Sequence, residues 1–320
     1  MAVSYELCGL RLSSDLALPE LPAILLEGRP PDLRVRLGAA PRPSAAAAHD
    51  PHGLILPDGG FWAEEPGVAR FRVEAGRQVT VDPLLPADDP EVRCHLYGTM
   101  LGVLCHQRGL LPLHGTAVVR DGRALLLTGG RNTGKSILAY ALAGRGAALL
   151  ADDVAVPAAD GLRAGAAPRL LPGLPTLRLS AETIASLGIP MARALPVADG
   201  KHALPGLVPV WREPAPLAAV VELAPGMPGM EAGAGVRLDR LDRVQAAVLL
   251  SRNTFRGRIG NHLGRGRALL AAAAALAAAV PCWRLRCPAD ALMPGAGPGV
   301  EPVPELVADM VERAWREDTR

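Results

Sequence analysis

The sequence predicts an α/β fold, with a small β-rich domain over residues 1–88 followed by a larger α/β domain over residues 89–320. Three observations predict it. The run from Leu125 to Asp153 reads as strand, glycine loop, helix, strand, acid. Residues 1–88 hold short apolar segments cut by Pro and Gly, the mark of strands joined by turns. The composition, 49% apolar and 21% charged, is that of a chain that folds around a core. Aromatics are only 3%, so Leu, Val and Ala must fill that core.

In chain order, the first domain offers strands at Tyr5–Leu12, Leu33–Leu37, Gly53–Leu56, Val68–Val73 and Gln78–Val81. Pro30-Pro31 and Asp58-Gly59-Gly60 mark loops. A helix then starts at Asp89, with Pro90 in the first helical position and Glu91 in the first turn. Val92, Leu96, Met100, Val103 and Leu104 form its apolar face, and Gly109 ends it. Leu111–Val119 is a strand carrying His114, and Asp121-Gly122 is the hairpin turn into the next strand. That pairing puts His114 across from the loop end of the second strand.

That second strand, Ala124–Leu127, feeds Gly129-Gly130-Arg131-Asn132-Thr133-Gly134-Lys135-Ser136, which fits the G-x-x-x-x-G-K-[ST] phosphate loop at every fixed position. The chemistry needs these residue types. Glycines let backbone N–H groups turn inward onto phosphate oxygens, and the following helix N-terminus adds partial positive charge. Lys135 reaches the β- and γ-phosphates, and the Ser136 hydroxyl suits Mg²⁺. Ile137–Ala143 continues as helix, stopped by Gly144 and Gly146. Ala147–Ala151 is a buried strand ending in Asp152-Asp153, where a carboxylate can hold the metal or take a proton.

Beyond the acid pair, Val154–Val156 and Gly161–Ala164 read as a hairpin and Thr176–Leu179 as a strand. Ser180 caps a helix over Ala181–Leu187. Asp199-Gly200-Lys201-His202 reads as a turn. Leu217–Leu223 is a central strand, Leu241–Leu250 and Ala268–Val280 are helices, Trp283–Arg286 is a last strand and Val303–Trp315 a closing helix. Of 34 basic residues only Lys135 and Lys201 are lysines, so Lys201 is a candidate for contact with substrate phosphate or carboxylate. Arg252, Arg256, Arg258, Arg265 and Arg267 lie within sixteen residues. Arg252 and Arg256 would share one face if the helix continued, and could pair phosphates.

Several classes are excluded. Net charge is +2 without charge runs, which argues against nucleic acid as partner. The longest apolar run, Ala268–Val280, is too short to span a bilayer. Five cysteines, an odd number without C-x-x-C, suit reduced thiols. With no basic head and apolar core at the N-terminus, a cytoplasmic location is expected.

LHGTAVV, GGRNTGKS and ADDV, in this order and at this spacing, resemble the catalytic domain of the HPr kinase/phosphorylase family. That family of bacterial serine kinases shares its nucleotide-binding core with phosphoenolpyruvate carboxykinase. The resemblance covers about Leu111 to Val156. It implies that Asp152 takes the proton from a serine hydroxyl with help from His114, and that Ser136 and Asp153 hold Mg²⁺. The acidic, glycine-rich stretch that the family carries after its double aspartate has no clear counterpart; residues 171–180 here read LPGLPTLRLS. The N-terminal YELCGLRLSSDLALPELP resembles a divergent branch that includes kinases of lasso-peptide precursors. The implied activity is an ATP- and Mg²⁺-dependent kinase acting on a serine-type hydroxyl of a peptide or protein. A small-molecule hydroxyl kinase and a non-catalytic nucleotide-binding regulator stay open, as does assembly into a homo-oligomer.

Overall fold

The structure, a computed structural model, describes residues 3–160, 167–225, 236–287 and 305–316. The chain divides into two compact units, Met1–Pro112 with Thr254–Leu270, and Leu113–Asn253 with Ala271–Arg320. The boundary expected between residues 88 and 89 falls inside the first unit. Burial explains the difference. Arg93 is 5% exposed and pairs with Glu20 at 2.8 Å, while the Tyr97 hydroxyl donates to the same carboxylate at 2.8 Å. A buried ion pair of this kind ties the helical segment to the loop that follows the second strand, Leu10–Ser14.

The first unit contains one eight-stranded sheet. Its strands are β1 (Val3–Leu7), β2 (Leu10–Ser14), β3 (Leu33–Leu37), β4 (Ala48–Asp50), β5 (Gly53–Ile55), β6 (Phe61–Glu65), β7 (Ala69–Glu74) and β8 (Gln78–Pro83). They lie in the order β1-β2-β3-β8-β7-β6-β5-β4. The single strand expected over Tyr5–Leu12 is a hairpin instead. Cys8 and Gly9 both take left-handed φ, 52° and 71°, and fold the run back on itself. β4 and β6 were not foreseen. The helix after Asp89 forms as expected, the Asp89 side chain accepting from Glu91 N–H at 2.8 Å. It runs through Pro90–His95, a wider π-type turn at Leu96–Met100, and Leu101–Gln107.

The second unit is built on β9 (Leu113–Arg120), β10 (Arg123–Thr128), β11 (Ala148–Ala151), β12 (Val154–Pro157), β13 (Arg169–Leu171), β14 (Leu177–Ser180), β15 (Leu195–Pro196), β16 (Lys201–Leu204), β17 (Ala215–Pro225), β18 (Arg237–Arg240) and β19 (Cys282–Cys287). The main sheet runs β10-β9-β12-β13-β17-β19-β18, with β11 also on β9. A further parallel pairing of β10 with β17 closes five of these strands into a ring. β14, β16 and β15 form a separate small sheet. This is a mixed α/β architecture, as predicted.

Sequence explains the layering. Ala124, Leu125, Leu126 and Leu127 are all fully buried, as a strand flanked on both edges requires. Leu138 and Leu142, one turn apart on the helix Lys135–Gly144, share a core cluster with Leu125, Leu127, Val221 and Leu223. Leu177, Leu179 and Leu204 of the small sheet join the same core. Strand alternation therefore turns Arg178 and Ser180 to the opposite face.

Most of the remaining elements match the reading, within a residue or two. They are the helices Ala181–Ser186, Arg243–Arg252 and Gly266–Ala279, the strands β17 and β19, and the helix Glu305–Arg316. The strand expected at Gly161–Ala164 lies outside the described residues; the described partners of β12 are β9 and β13. Lys201 opens β16 rather than sitting in a turn. The arginine face needs correction. The helix Arg243–Arg252 ends there, Asn253 caps it, and Arg256 takes a left-handed φ of 53° before a new helix, Gly257–His262. Arg252 is exposed in the second unit, whereas Arg256 belongs to the first. There Arg256 donates to Thr99 Oγ1 at 3.0 Å, meets His52 and stacks over Phe255.

Among the described residues no helix is long and apolar enough to cross a membrane. All five cysteines are buried and none is joined in a disulfide.

Candidate active site

Three neighbouring segments build the site. β9 and β10 are joined by Asp121 and Gly122, both left-handed at 52° and 72°, the backbone of a two-residue hairpin turn. The register pairs Thr128 with Gly115, so His114 lies beside the loop end of β10, as expected. Its backbone is held from two sides. The His114 N–H donates to Asn253 O at 2.7 Å, and Thr128 Oγ1 donates to His114 O at 2.7 Å.

The loop follows at once. Gly129 has φ 132°, and a Cβ there would sit 2.5 Å from Leu223 O of β17. Only glycine fits. Asn132 at φ 60° and Gly134 at φ 88° bend the chain into the helix, whose first bond runs from Leu138 N–H to Gly134 O at 2.9 Å. Thr133 Oγ1 donates to Gly130 O at 3.0 Å. Lys135, 8% exposed, donates from Nζ to Gly129 O at 3.0 Å and Gly130 O at 2.6 Å. Burial pulls the Lys135 ammonium down to about 8, against the attraction of Asp152 and Asp153, and Lys201 and Arg131 push the same way.

The acid pair sits where β11 passes into β12 along β9. Ala151 faces Ala117 and Val154 faces His114, leaving Asp152 and Asp153 opposite Thr116 and Gly115. Asp153 takes φ 71°, a conformation that aspartate tolerates better than most residues. Gly115 is required by β10, since a Cβ there would lie 2.5 Å from Leu127 O.

The side chains divide the pair. Asp152, 4% exposed, accepts from Thr116 Oγ1 at 2.6 Å and Ser136 Oγ at 3.4 Å on one oxygen. Its other oxygen accepts from the Arg178 backbone N–H at 3.1 Å. Asp153 instead meets the Arg178 guanidinium at 2.5 Å and His114 Nδ1 at 3.4 Å. Burial alone would raise the Asp153 carboxyl, but Arg178, His114 and Lys201 override it and hold it at about 2. Burial and the Lys135 charge lower His114 despite the nearby carboxylates, which favours its neutral form. Both Nδ1 contacts are to oxygens of Asp153, which assigns the proton to Nδ1 and basicity to Nε2.

Sequence reasoning paired Ser136 with Asp153 and His114 with Asp152. The distances join Ser136 to Asp152 and His114 to Asp153. Lys201 pairs with Ser180 on β14, two residues along from Arg178, and its charge lowers both Lys135 and Asp153. Arg252 is exposed, and Arg256 belongs to the first unit, where it meets Thr99 and His52. Two residues were missed. Thr116 was detectable, being two positions from His114 on the same face of one strand. Arg178 was not, since long-range contacts bring it there: Asp152 N–H donates to Leu174 O at 2.9 Å and the Arg178 N–H donates to Asp152 at 3.1 Å.

The donor set suits a nucleotide with magnesium. A hydroxyl and a carboxylate are hard oxygen ligands, and Mg²⁺ at phosphates takes few from the protein. Among the described residues no group of three or more His, Cys, Asp or Glu forms a metal cage. No family model matches the chain, and neither does any curated protein sequence. Among solved structures it is similar to the Hpr(Ser) kinase/phosphatase from Coxiella burnetii, at 16% identity over 63% of this chain and 88% of that one, with a TM-score of 0.31. A likeness of this degree assigns neither a family nor an activity.

Proposed function

We propose that the chain is an ATP- and Mg²⁺-dependent kinase that transfers the γ-phosphoryl group to a serine-type hydroxyl of a peptide or protein. One observation carries the reading. Lys135 and Ser136 open a helix directly after a glycine loop, and Ser136 Oγ lies 3.4 Å from an acid pair that also meets His114. A binding module needs the loop and the lysine; it has no use for a carboxylate beside an imidazole.

In this reading the loop amides of residues 129–134, with Lys135, hold the β- and γ-phosphates. Mg²⁺, when bound, neutralises charge on those phosphates. The distances favour Ser136 and Asp152 as its protein ligands. They favour Asp153, oriented by His114, as the group that receives the hydroxyl proton. Asp152 as base and Asp153 as metal ligand is the reverse arrangement implied by the resemblance. Little covalent chemistry is required, because positioning and charge neutralisation do most of the work in phosphoryl transfer. A ribosomal, lasso-type precursor peptide as acceptor is supported by the N-terminal resemblance alone.

The test is incubation with ATP and Mg²⁺ against a panel of serine-bearing peptides and small hydroxylated metabolites, read by mass spectrometry. Phosphate on a peptide hydroxyl supports the proposal. Phosphate on metabolites alone would move it to a small-molecule kinase.

A further inference from the structure

The small sheet β14-β16-β15 brings one face to the acid pair. Arg178 pairs with Ala203 across β14 and β16, and Ser180 pairs with Lys201. Residues two apart share a face, so Arg178 and Lys201 are diagonal neighbours on the face opposite Leu177 and Leu179. Arg178 is also indexed to the acids by its own backbone. Its N–H donates to Asp152 at 3.1 Å while its guanidinium lies 2.5 Å from Asp153.

Charge makes this face more than a structural brace. Four cations, Arg131, Lys135, Arg178 and Lys201, act on the acid pair or on one another here, against two carboxylates, Asp152 and Asp153. A partly buried site with that surplus favours an anion. Arginine's planar fork can hold an oxygen of Asp153 and still offer donors to a second set of oxygens. Lys201, one of only two lysines among 34 basic residues, adds a mobile point charge beside it.

We propose that Arg178 and Lys201 form a cationic clamp for the phosphoryl group in transfer, with Arg178 gripping its non-bridging oxygens. The proposal rests on the kinase reading above and names the arginine that reading lacked. As the bond from the acceptor oxygen to phosphorus forms, the bond from phosphorus to the bridging oxygen breaks. The electron pair leaves with the ADP oxygen, the hydroxyl proton passes to the acid pair, and the clamp carries charge on the three remaining oxygens.

Calorimetric titration of the full chain with Mg²⁺–ADP, with and without fluoroaluminate as a mimic of the group in flight, tests the clamp. Wild type should tighten by about a hundredfold on adding fluoroaluminate. Arg178→Gln and Arg178→Lys should bind ADP within about threefold of wild type but tighten less than about fivefold, since only an interaction made in the transition state has been removed. Lysine keeps a charge beside Asp153, so it guards against simple misfolding of the glutamine variant. Variants that tighten as wild type does would reduce Arg178 to a partner of Asp153 and overturn the clamp. So would equal loss of ADP affinity in both variants. Wild type that binds ADP but never tightens would overturn the kinase reading, and the clamp with it.

Discussion

The hydroxyl of Thr116 donates to Asp152 Oδ1 at 2.6 Å, and both residues are buried, at 0% and 4% exposure. A carboxylate withdrawn this far from water depends on its few donors. Thr116→Val keeps the shape and removes the donor. The unfolding free energy should fall by about 1–3 kcal/mol, and Thr116→Ser should lose much less. Urea denaturation of the two variants checks this; equal stability of wild type and the valine variant would count against it.

Gly129 is the tightest point of the loop, with a Cβ position 2.5 Å from Leu223 O and φ 132°. Gly129→Ala should destabilise by roughly 1–3 kcal/mol through clash and strain. It should also abolish ATP binding, because the loop must shift away from β17. Equilibrium binding with fluorescent ATP, beside a melting curve, separates the two effects.

The acid pair should split by function. Asp152→Asn and Ser136→Ala should weaken Mg²⁺-dependent ATP binding. Asp153→Asn should keep binding and slow transfer by about 10²–10⁴-fold, the range for loss of a general base. Single-turnover phosphorylation beside calorimetry distinguishes this from the reverse assignment. Asp152→Asn with intact Mg²⁺–ATP binding and lost transfer would restore Asp152 as the base.

Asp153 also predicts an acid limb in stability. Its folded value, about 2, lies below the ordinary 3.8 of an aspartate, with Arg178 the chief cause of the lowering. A depressed carboxylate stabilises the fold above its unfolded value, and that stability is lost as pH falls through the folded value. The protein should lose about 2 kcal/mol between roughly pH 4 and pH 2 through this group. Asp153→Asn should flatten that part of the profile in metal-free buffer.

Contiguous features were legible in the sequence. The loop, its helix, the hairpin turn at Asp121-Gly122 and the acid pair each depend on neighbours in the chain, so pattern and φ preference suffice to find them. What the sequence hid depends on pairing between distant segments. Arg178, some two dozen residues beyond the acids, reaches them where its segment returns along Asp152, whose N–H donates to Leu174 O at 2.9 Å. Ser136 meets Asp152 rather than Asp153 because the left-handed Asp153 turns its side chain toward His114, which no spacing rule reveals. Arg256 was drawn to Arg252 by helical spacing, and the break at Asn253 undid it. Cys8 and Gly9 split an apolar run that has no other punctuation.

The most direct measurement is transfer from γ-labelled ATP to serine-bearing peptides by wild type and by Lys135→Ala at matched concentrations. Label on a peptide hydroxyl with wild type, and none with Lys135→Ala, is the predicted result. Tight ATP binding by wild type with no label on any acceptor would contradict it.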